Sequence, residues 1–480
     1  MGRWAFCRSR SGFSVKVELP YGKTAITAEL PAGTRMLSNT ERAALPPVDD
    51  LDAAVRAALA RPRGLPRLGA LVHPGASVTI AFDDHTTGSF GPIREVAIRA
   101  VLDELDSAGV RRRDVTLICA NALHRMLRPS ELARLLGEEL VREFGDRLIC
   151  HDAEDPEQIA DLGVTAEHGY PVEVHRLVAE SSLTVYVNTN YIRGFTGGWK
   201  SVCVGLSTWR TIRVTHTPDG MSMSVNRNRM HAVLDEMGHH LEGRLGRRRV
   251  FKIDTLLADP HRVARIFAGA VDETRRAALE AQALLYPPRR EASQERVDVL
   301  VYGVPDSSPY AIFASVNPIL TLISSGLGYL GGMIEAAGKP GCTVIMAAPA
   351  RDEWDRVAHP SYPEVWERFL SRTRDPYEIT ERHAEEFARR PDYVEAYRHR
   401  YAFHPIHGIL ATHPLKRLRH VGRVIVAAPQ DVHVPRHLGF DVAPSVEEAI
   451  ASARRIHGPD CAIAHVEQPP LVAPFGPAAG

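Results

Sequence analysis

Lys200 and His216 lie in the stretch of this 480-residue chain where residue types and spacing most suggest chemistry, Tyr191 to His216, which reads YIRGFTGGWKSVCVGLSTWRTIRVTH. Lys200 presents an amine and His216 an imidazole. The β-rich run Leu183 to Val187 leads in through Asn188, Thr189 and Asn190, then breaks into Gly194, Gly197 and Gly198. Glycines at such a turn let the backbone approach a ligand and aim N–H groups at it, which suits a phosphate or another anion. Gly194 to Ser201 nearly spells a nucleoside-triphosphate loop, but Trp199 stands where that motif needs its second glycine, which discounts a kinase or ATPase. By spacing alone the loop reads equally well as a glycine turn with a solvated lysine.

Two other strand tips carry polar groups. The apolar run Val78 to Phe82 ends in Asp83-Asp84-His85-Thr86-Thr87-Gly88, and the run Val115 to Ala120 ends in Asn121-Ala122-Leu123-His124-Arg125. Polar residues beyond the C-terminal ends of buried strands are where open α/β sheets place their ligand sites. A histidine just past a buried strand is by default a structural hydrogen-bonder. With the tip after Val187, three strand tips converge on one crevice.

The elements that position these tips follow from periodicity. A helix is expected over 92–108, others over 230–238 and 272–285, and a glycine-turn hairpin over 14–31 around Tyr21-Gly22-Lys23. Alternating strand, polar tip and helix predict a mainly parallel sheet flanked by helices. After Pro287-Pro288 the charged stretch 289–296 reads as a hinge, and a second unit follows: strands at 297–301, 342–347 and 424–427, a helix over 314–336, and a charged helical region over 352–400. The expected fold class is α/β with two domains, 1–288 and 289–468, each built on a mainly parallel sheet, the active site in the cleft between them, and a flexible tail over 469–480. Within the second unit, Gly326-Leu-Gly328-Tyr-Leu-Gly331 matches a dinucleotide fingerprint in letters but precedes its strand instead of following one, so close helix packing is the better reading.

Lys plus Arg and Asp plus Glu both total 58, so no excess of charge argues for nucleic acid or an anionic membrane. The six cysteines form no CxxC pair, which leaves no zinc or disulfide framework and fits a reducing cytoplasm. No run approaches the length of a membrane span. The oligomeric state is not legible.

The order Tyr191, Gly194, Gly197-Gly198, Lys200, Gly205, Ser207-Thr208, Arg210, His216 resembles the signature of the nickel-pincer nucleotide-dependent lactate racemase family. That resemblance implies a pyridinium-3-thioamide-5-thiocarboxylic acid mononucleotide joined covalently to Lys200, with nickel coordination completed by His216. It implies that Asp84, Thr86, Thr87, Tyr191, Gly194, Gly197 and Gly198 contact the cofactor, Asp84 orienting either the cofactor or His124. His124 is implied to be the general base that takes a substrate hydroxyl proton, with Arg125 and Arg193 on the substrate. The partners implied are a small hydroxy acid and the enzymes that make the cofactor.

The chain departs from the family's pattern at three places. Asn190 stands where the racemases carry a second catalytic histidine. The family's Asp-x-Thr-Arg is Asp84-His85-Thr86-Thr87, so its arginine is absent, and a Tyr-Gln and Lys set in the second domain is replaced by Ser315, Val316 and Ile319. Asn190 hydrogen-bonds but is no base near neutral pH, so a replacement is expected from His85, His404 or His407, with His85 the most economical. Arg125, Arg193 or Arg210 is expected to take over the carboxylate. The function read from this is racemisation or epimerisation of a 2-hydroxy acid other than lactate, such as a larger polyhydroxylated acid. The alternatives are a single-base oxidoreductase or lyase on the same cofactor, or a non-catalytic binder of the nucleotide.

Overall fold

A computed structural model describes residues 14–38, 45–190, 195–220, 228–246, 249–285, 296–328 and 333–467. The first of its two main sheets is six-stranded, in spatial order Val263–Gly269, Val250–Leu257, Leu183–Asn190, Val78–Asp83, Val115–Ala120, Leu148–Cys150. All neighbours run parallel except the first pair. Val78–Asp83 and Leu183–Asn190 are buried along their whole lengths, which is why both read as near-continuous apolar runs in place of alternation. Phe82 pairs with Cys119 on one side and Val187 on the other, so the three central strands end level and their polar tips emerge at one edge. The helix Ile93–Ser107 buries Ile93, Ala97, Val101 and Leu105 against the sheet.

The second sheet holds the parallel strands Asp441–Ala443, Arg423–Ala427, Gly338–Ala347 and Val297–Pro305 in that order. Val297–Pro305 is flanked further by Ile463–Glu467 and by Val15–Gly22, the latter in an antiparallel hairpin with Thr24–Leu30; Arg35–Ser38 pairs with Ile463–Glu467. The hairpin forms where its glycine turn predicts, but it belongs to the second sheet, so the first strands of the chain do not group with the sheet of the 1–288 expectation. The reason is burial. Val17, Leu19, Ala28 and Leu30 need an apolar face to cover, and they find it on Val299, Val301 and Ile345, whereas an isolated hairpin is marginal in water.

In the second unit the long helix expected over 314–336 is a π-helical segment, Ile319–Gly328, and a short α-helix, Met333–Ala337. Gly326 is a packing glycine: its carbonyl accepts the Tyr302 hydroxyl at 2.7 Å, and a Cβ there would stand 2.7 Å from Met346 Sδ. The charged region resolves into Tyr362–Glu364 running into π-helical Val365–Leu370, then Pro376–Ala388 and Pro391–His399. The hinge expected over 289–296 lies, apart from Arg296, outside the described residues, as does the tail 469–480. No helix among the described residues is long and apolar enough to cross a membrane.

The hairpin docks where Gly303 lets two backbones touch, since a Cβ at Gly303 would lie 2.2 Å from the Pro20 carbonyl oxygen and 2.6 Å from its nitrogen. Backbone cannot step aside as a flexible side chain does. Gly303→Ala is therefore expected to lower stability by about 1–3 kcal/mol, as overpacking does, read as a lower urea midpoint at unchanged slope.

Candidate functional site

The level strand tips of the first sheet face residues of the second unit across a cavity of about 600 Å³. Asp84, Thr86, Thr87, His124, Gly197, Lys200 and His216 line it from one side, Tyr310, Glu335, His407, Lys416 and Arg417 from the other.

The loop after Val78–Asp83 is held by Arg94. Its guanidinium is fully buried and donates to the Asp83 and Asp84 carbonyls at 2.7 Å, the Ser89 carbonyl at 2.9 Å and the Thr87 hydroxyl at 2.9 Å. The two adjacent carboxyls then meet different fates. Asp83 accepts from the Tyr186 hydroxyl (2.9 Å) and the Thr189 N–H (2.7 Å), and burial pushes it up to about 6. Asp84 accepts the Thr86 N–H (3.0 Å), the Thr86 hydroxyl (2.6 Å) and the His124 Nδ1–H (2.8 Å). Burial works to raise it, but the facing His124 and the hydrogen bonds outweigh burial and hold it well below the usual carboxylate range. With Nδ1 on Asp84, the His124 nitrogen left for a substrate is Nε2, the geometry of an oriented general base. The turn bearing His124 puts Ala122 at φ 50°, in the left-handed region, where its N–H donates to Gly205 and its carbonyl accepts the Tyr397 hydroxyl at 3.3 Å.

Tyr191, Arg193 and Gly194 lie outside the described residues. From Phe195 onward the glycine loop is built over a buried polar network. Gly197 has φ 88° and Gly198 φ 58°, conformations that favour glycine. Lys252, itself buried, donates from Nζ to the Gly198 carbonyl and the Ser201 hydroxyl, both at 2.8 Å. Lys200 Nζ sits 3.3 Å from the centre of the Phe195 ring and, among the described residues, makes no hydrogen bond or ion pair. Burial lowers its pKa to about 7, with Arg275 adding to the effect. A substantial neutral fraction near neutral pH is the state an amine needs to form a covalent bond. His216 is also fit for its expected role. Its Nδ1–H donates to the Ile212 carbonyl (3.2 Å), leaving Nε2, and burial, then Lys200, lowers its pKa to about 3. A neutral imidazole whose far nitrogen is held by a carbonyl is a prepared metal ligand. Lys200 and His216 thus fit a group bound both covalently and through a metal.

Several expectations fail here for physical reasons. Asn190 is not a catalytic residue of this cavity: it is 1% exposed, its amide donates to Asp254 Oδ1, and its oxygen accepts the Thr196 hydroxyl at 2.7 Å. It ties the glycine loop to the sheet. His85 is buried on the far side of its turn, its ring centre 4.9 Å from that of Phe313, and burial lowers its pKa to about 4. Arg125 is no substrate clamp, because Glu131 takes its guanidinium in a two-point ion pair at 2.7 and 3.0 Å, 2% exposed. Arg210 points to Glu173 and Asp161 on the surface. Gly198 packs against Arg275, and Ser315, Val316 and Ile319 are not among the lining residues. Besides Lys200, the cavity among the described residues is lined by Lys416, whose Nζ donates to the Pro218 carbonyl (2.5 Å), and Arg417, 3.4 Å from Glu335. Neither stands in a motif, and nothing in local sequence marks them.

Fold and site together define a two-sheet α/β protein with a polar cavity between its two units. Residues 21–229 match the lactate racemase N-terminal domain. The chain is 22% identical over 381 residues to lactate racemase from Thermoanaerobacterium thermosaccharolyticum, covering 76% of this chain and 79% of that protein. It is 22% identical over 347 residues to lactate racemase from Lactiplantibacillus plantarum, covering 70% and 76%. The solved lactate racemase apoprotein of T. thermosaccharolyticum shares the fold, with a TM-score of 0.66 at 19% identity over 96% of this chain and 99% of that one. A crystal structure of a Thermotoga maritima protein aligns with a TM-score of 0.51 at 13% identity, over 90% and 99%. The chain is a divergent homologue of the lactate racemases.

Two outcomes check this geometry. Asn190→His, which introduces the residue the resemblance leads one to expect there, is expected to give no gain of activity and to cost about 1–3 kcal/mol by overpacking, because a Cβ at Gly197 would already stand 2.9 Å from Asn190 Oδ1; urea unfolding reads the loss. Lys200, lowered to about 7, is a charged ammonium below that pH and a neutral nucleophile above it. Competitive acetylation of the cofactor-free protein, followed by peptide mass spectrometry, is expected to show Lys200 reactivity rising through pH 7, while solvated lysines rise near pH 10.

Proposed function

We propose that this protein is a nickel-pincer nucleotide-dependent racemase or epimerase of a 2-hydroxy acid larger than lactate. The observation that carries this reading is that Lys200, His216 and the Asp84–His124 pair line one cavity, each with its chemically useful atom left available. Lys200 Nζ would hold the nucleotide and His216 Nε2 its nickel. When bound, that group supplies a pyridinium hydride acceptor.

The chain's own residues do the rest. His124 Nε2 accepts the substrate hydroxyl proton, and Asp84, ionised throughout the physiological range, holds the ring and stabilises the imidazolium. Thr86, Thr87 and Gly197 offer hydroxyls and backbone to the nucleotide's polar groups. Lys416 and Arg417 face the substrate's carboxylate, and Glu335, Ser324 and Arg417 give a longer acid's hydroxyls both acceptors and donors. The cavity, about 600 Å³, has room for an acid larger than lactate, whose added hydroxyls these groups would meet. The second reading, a single-base oxidoreductase or lyase, gains from Asn190 being committed to Asp254.

The test is intact mass and nickel content of protein co-expressed with the cofactor-making enzymes. Wild type is expected to gain nucleotide mass and nickel, Lys200→Ala to gain neither, and His216→Ala to keep the mass while losing most of the nickel. Bare wild-type protein would sink the proposal. A screen of chiral 2-hydroxy acids then separates an epimerase, which yields both configurations from either isomer, from a one-face enzyme, which yields a ketone or elimination product.

A further inference from the structure

His407 is 4% exposed and lines the same cavity as His124. Its Nδ1 is 2.7 Å from the Tyr362 hydroxyl, which leaves Nε2 as the other ring nitrogen. The two imidazole rings stand 5.5 Å apart, centre to centre, at 81°, and the Tyr310 ring packs on both, 5.5 Å from His124 and 4.4 Å from His407. One backbone unit sets this spacing: the His407 N–H donates to the His404 carbonyl (2.9 Å), and the His404 N–H donates to the Leu123 carbonyl (3.1 Å), one residue before His124. His404 itself is spent. Its Nε2 bonds Glu154 at 2.8 Å and its Nδ1 accepts the Ile406 N–H at 3.3 Å.

We propose that His407, positioned by Tyr362, is the second acid/base group of this site, taking the role that Asn190 cannot fill. This rests on the hydroxy-acid reading above. When either isomer aims its C2–H at one acceptor, its hydroxyl falls at one of two neighbouring positions, and a base must reach each within about 2.6–3.2 Å. Two imidazoles at nearly right angles and 5.5 Å apart cover two such positions. In the forward half the hydroxyl O–H would break and its proton pass to Nε2 of one ring as the C=O bond forms, the bound group supplying the acceptor for the hydride that leaves C2. In the return half hydride comes back to the opposite face of the carbonyl carbon, and the oxygen takes its proton from the other ring, the proton having passed between the imidazoles. One proton leaves and one returns per turnover. Tyr362 is a positioning residue that holds the His407 proton on Nδ1.

The experiment compares cofactor-loaded wild type, His124→Asn, His407→Asn and Tyr362→Phe in single turnovers, using the separate D and L isomers of lactate, malate and glycerate. Nickel and Lys200 mass in His407→Asn are expected to equal wild type, which excludes misfolding. His407→Asn is expected to lose ketone formation from one isomer by at least about 10²-fold while keeping it from the other, and His124→Asn to show the reverse preference. A turning-over wild type whose His407→Asn variant oxidises both isomers at unchanged rates would overturn the proposal. A substrate-free arm uses ¹⁵N-histidine NMR of the same proteins. His407 is expected with Nδ1 protonated and Nε2 bare, a tautomer that Tyr362→Phe scrambles; a permanently protonated Nε2 would also overturn it. Loaded wild type that converts none of the acids, with Nε2 of His407 bare, instead counts against the substrate class alone.

Discussion

A carboxylate that is 3% exposed at the edge of a sheet must be given hydrogen bonds or lose its charge, and the way Asp84 is satisfied organises this molecule. Its oxygens are occupied by the Thr86 backbone, the Thr86 hydroxyl and the His124 ring. That arrangement fixes which nitrogen His124 presents to the cavity. It also needs the turn to stay where it is, which is the work of the buried Arg94 guanidinium on four oxygens of the same loop. Asp83, one residue earlier, faces a tyrosine, a threonine and a backbone N–H, and its affinity for a proton rises where that of Asp84 falls. Two neighbouring carboxyls thus differ in proton affinity through surroundings alone.

The second unit does more than close the cavity. Tyr397 bonds the strained turn at Ala122 and also accepts the Ala153 N–H at 3.0 Å, and His404 bonds Leu123. Lys416 and Tyr377 hold Pro218 and Asp219, just past His216. The His124 and His216 rings therefore both owe their positions to residues more than a hundred and fifty positions away. Below the glycine loop, Asn188, Asn190, Asp254, Lys252 and Ser201 form a continuous polar network. Such a network holds its members in place through their pairing, and the Asn190 amide is one of those members.

The strands that read best in sequence are those buried on both faces, Val78–Asp83, Val115–Ala120 and Leu183–Asn190, because a doubly covered strand is a dense run of apolar letters. Asp84 and His124 were legible as polar tips of such strands and Lys200 as the residue after a glycine turn, while His216 and the roles of all four came from the family resemblance. Val250–Leu257 escaped notice because Lys252, Asp254 and Thr255, all buried, interrupt its apolar run. The separate two-stranded sheet of Ile159–Val164 and Pro171–His175 has one largely exposed strand and carries too weak a pattern.

What the sequence determined by itself is local: the strands buried on both faces, where they end, and which side chains of known chemistry stand at those ends. Only tertiary structure decided which of those side chains are free to act. Asn190, His85 and Arg125 each have the right type and place in the chain, yet Asp254, Phe313 and Glu131 claim them. His407, Lys416 and Arg417 carry no motif, yet they line the cavity. Availability depends on partners brought together across long stretches of chain, and no local pattern of residues records which partner a side chain will meet.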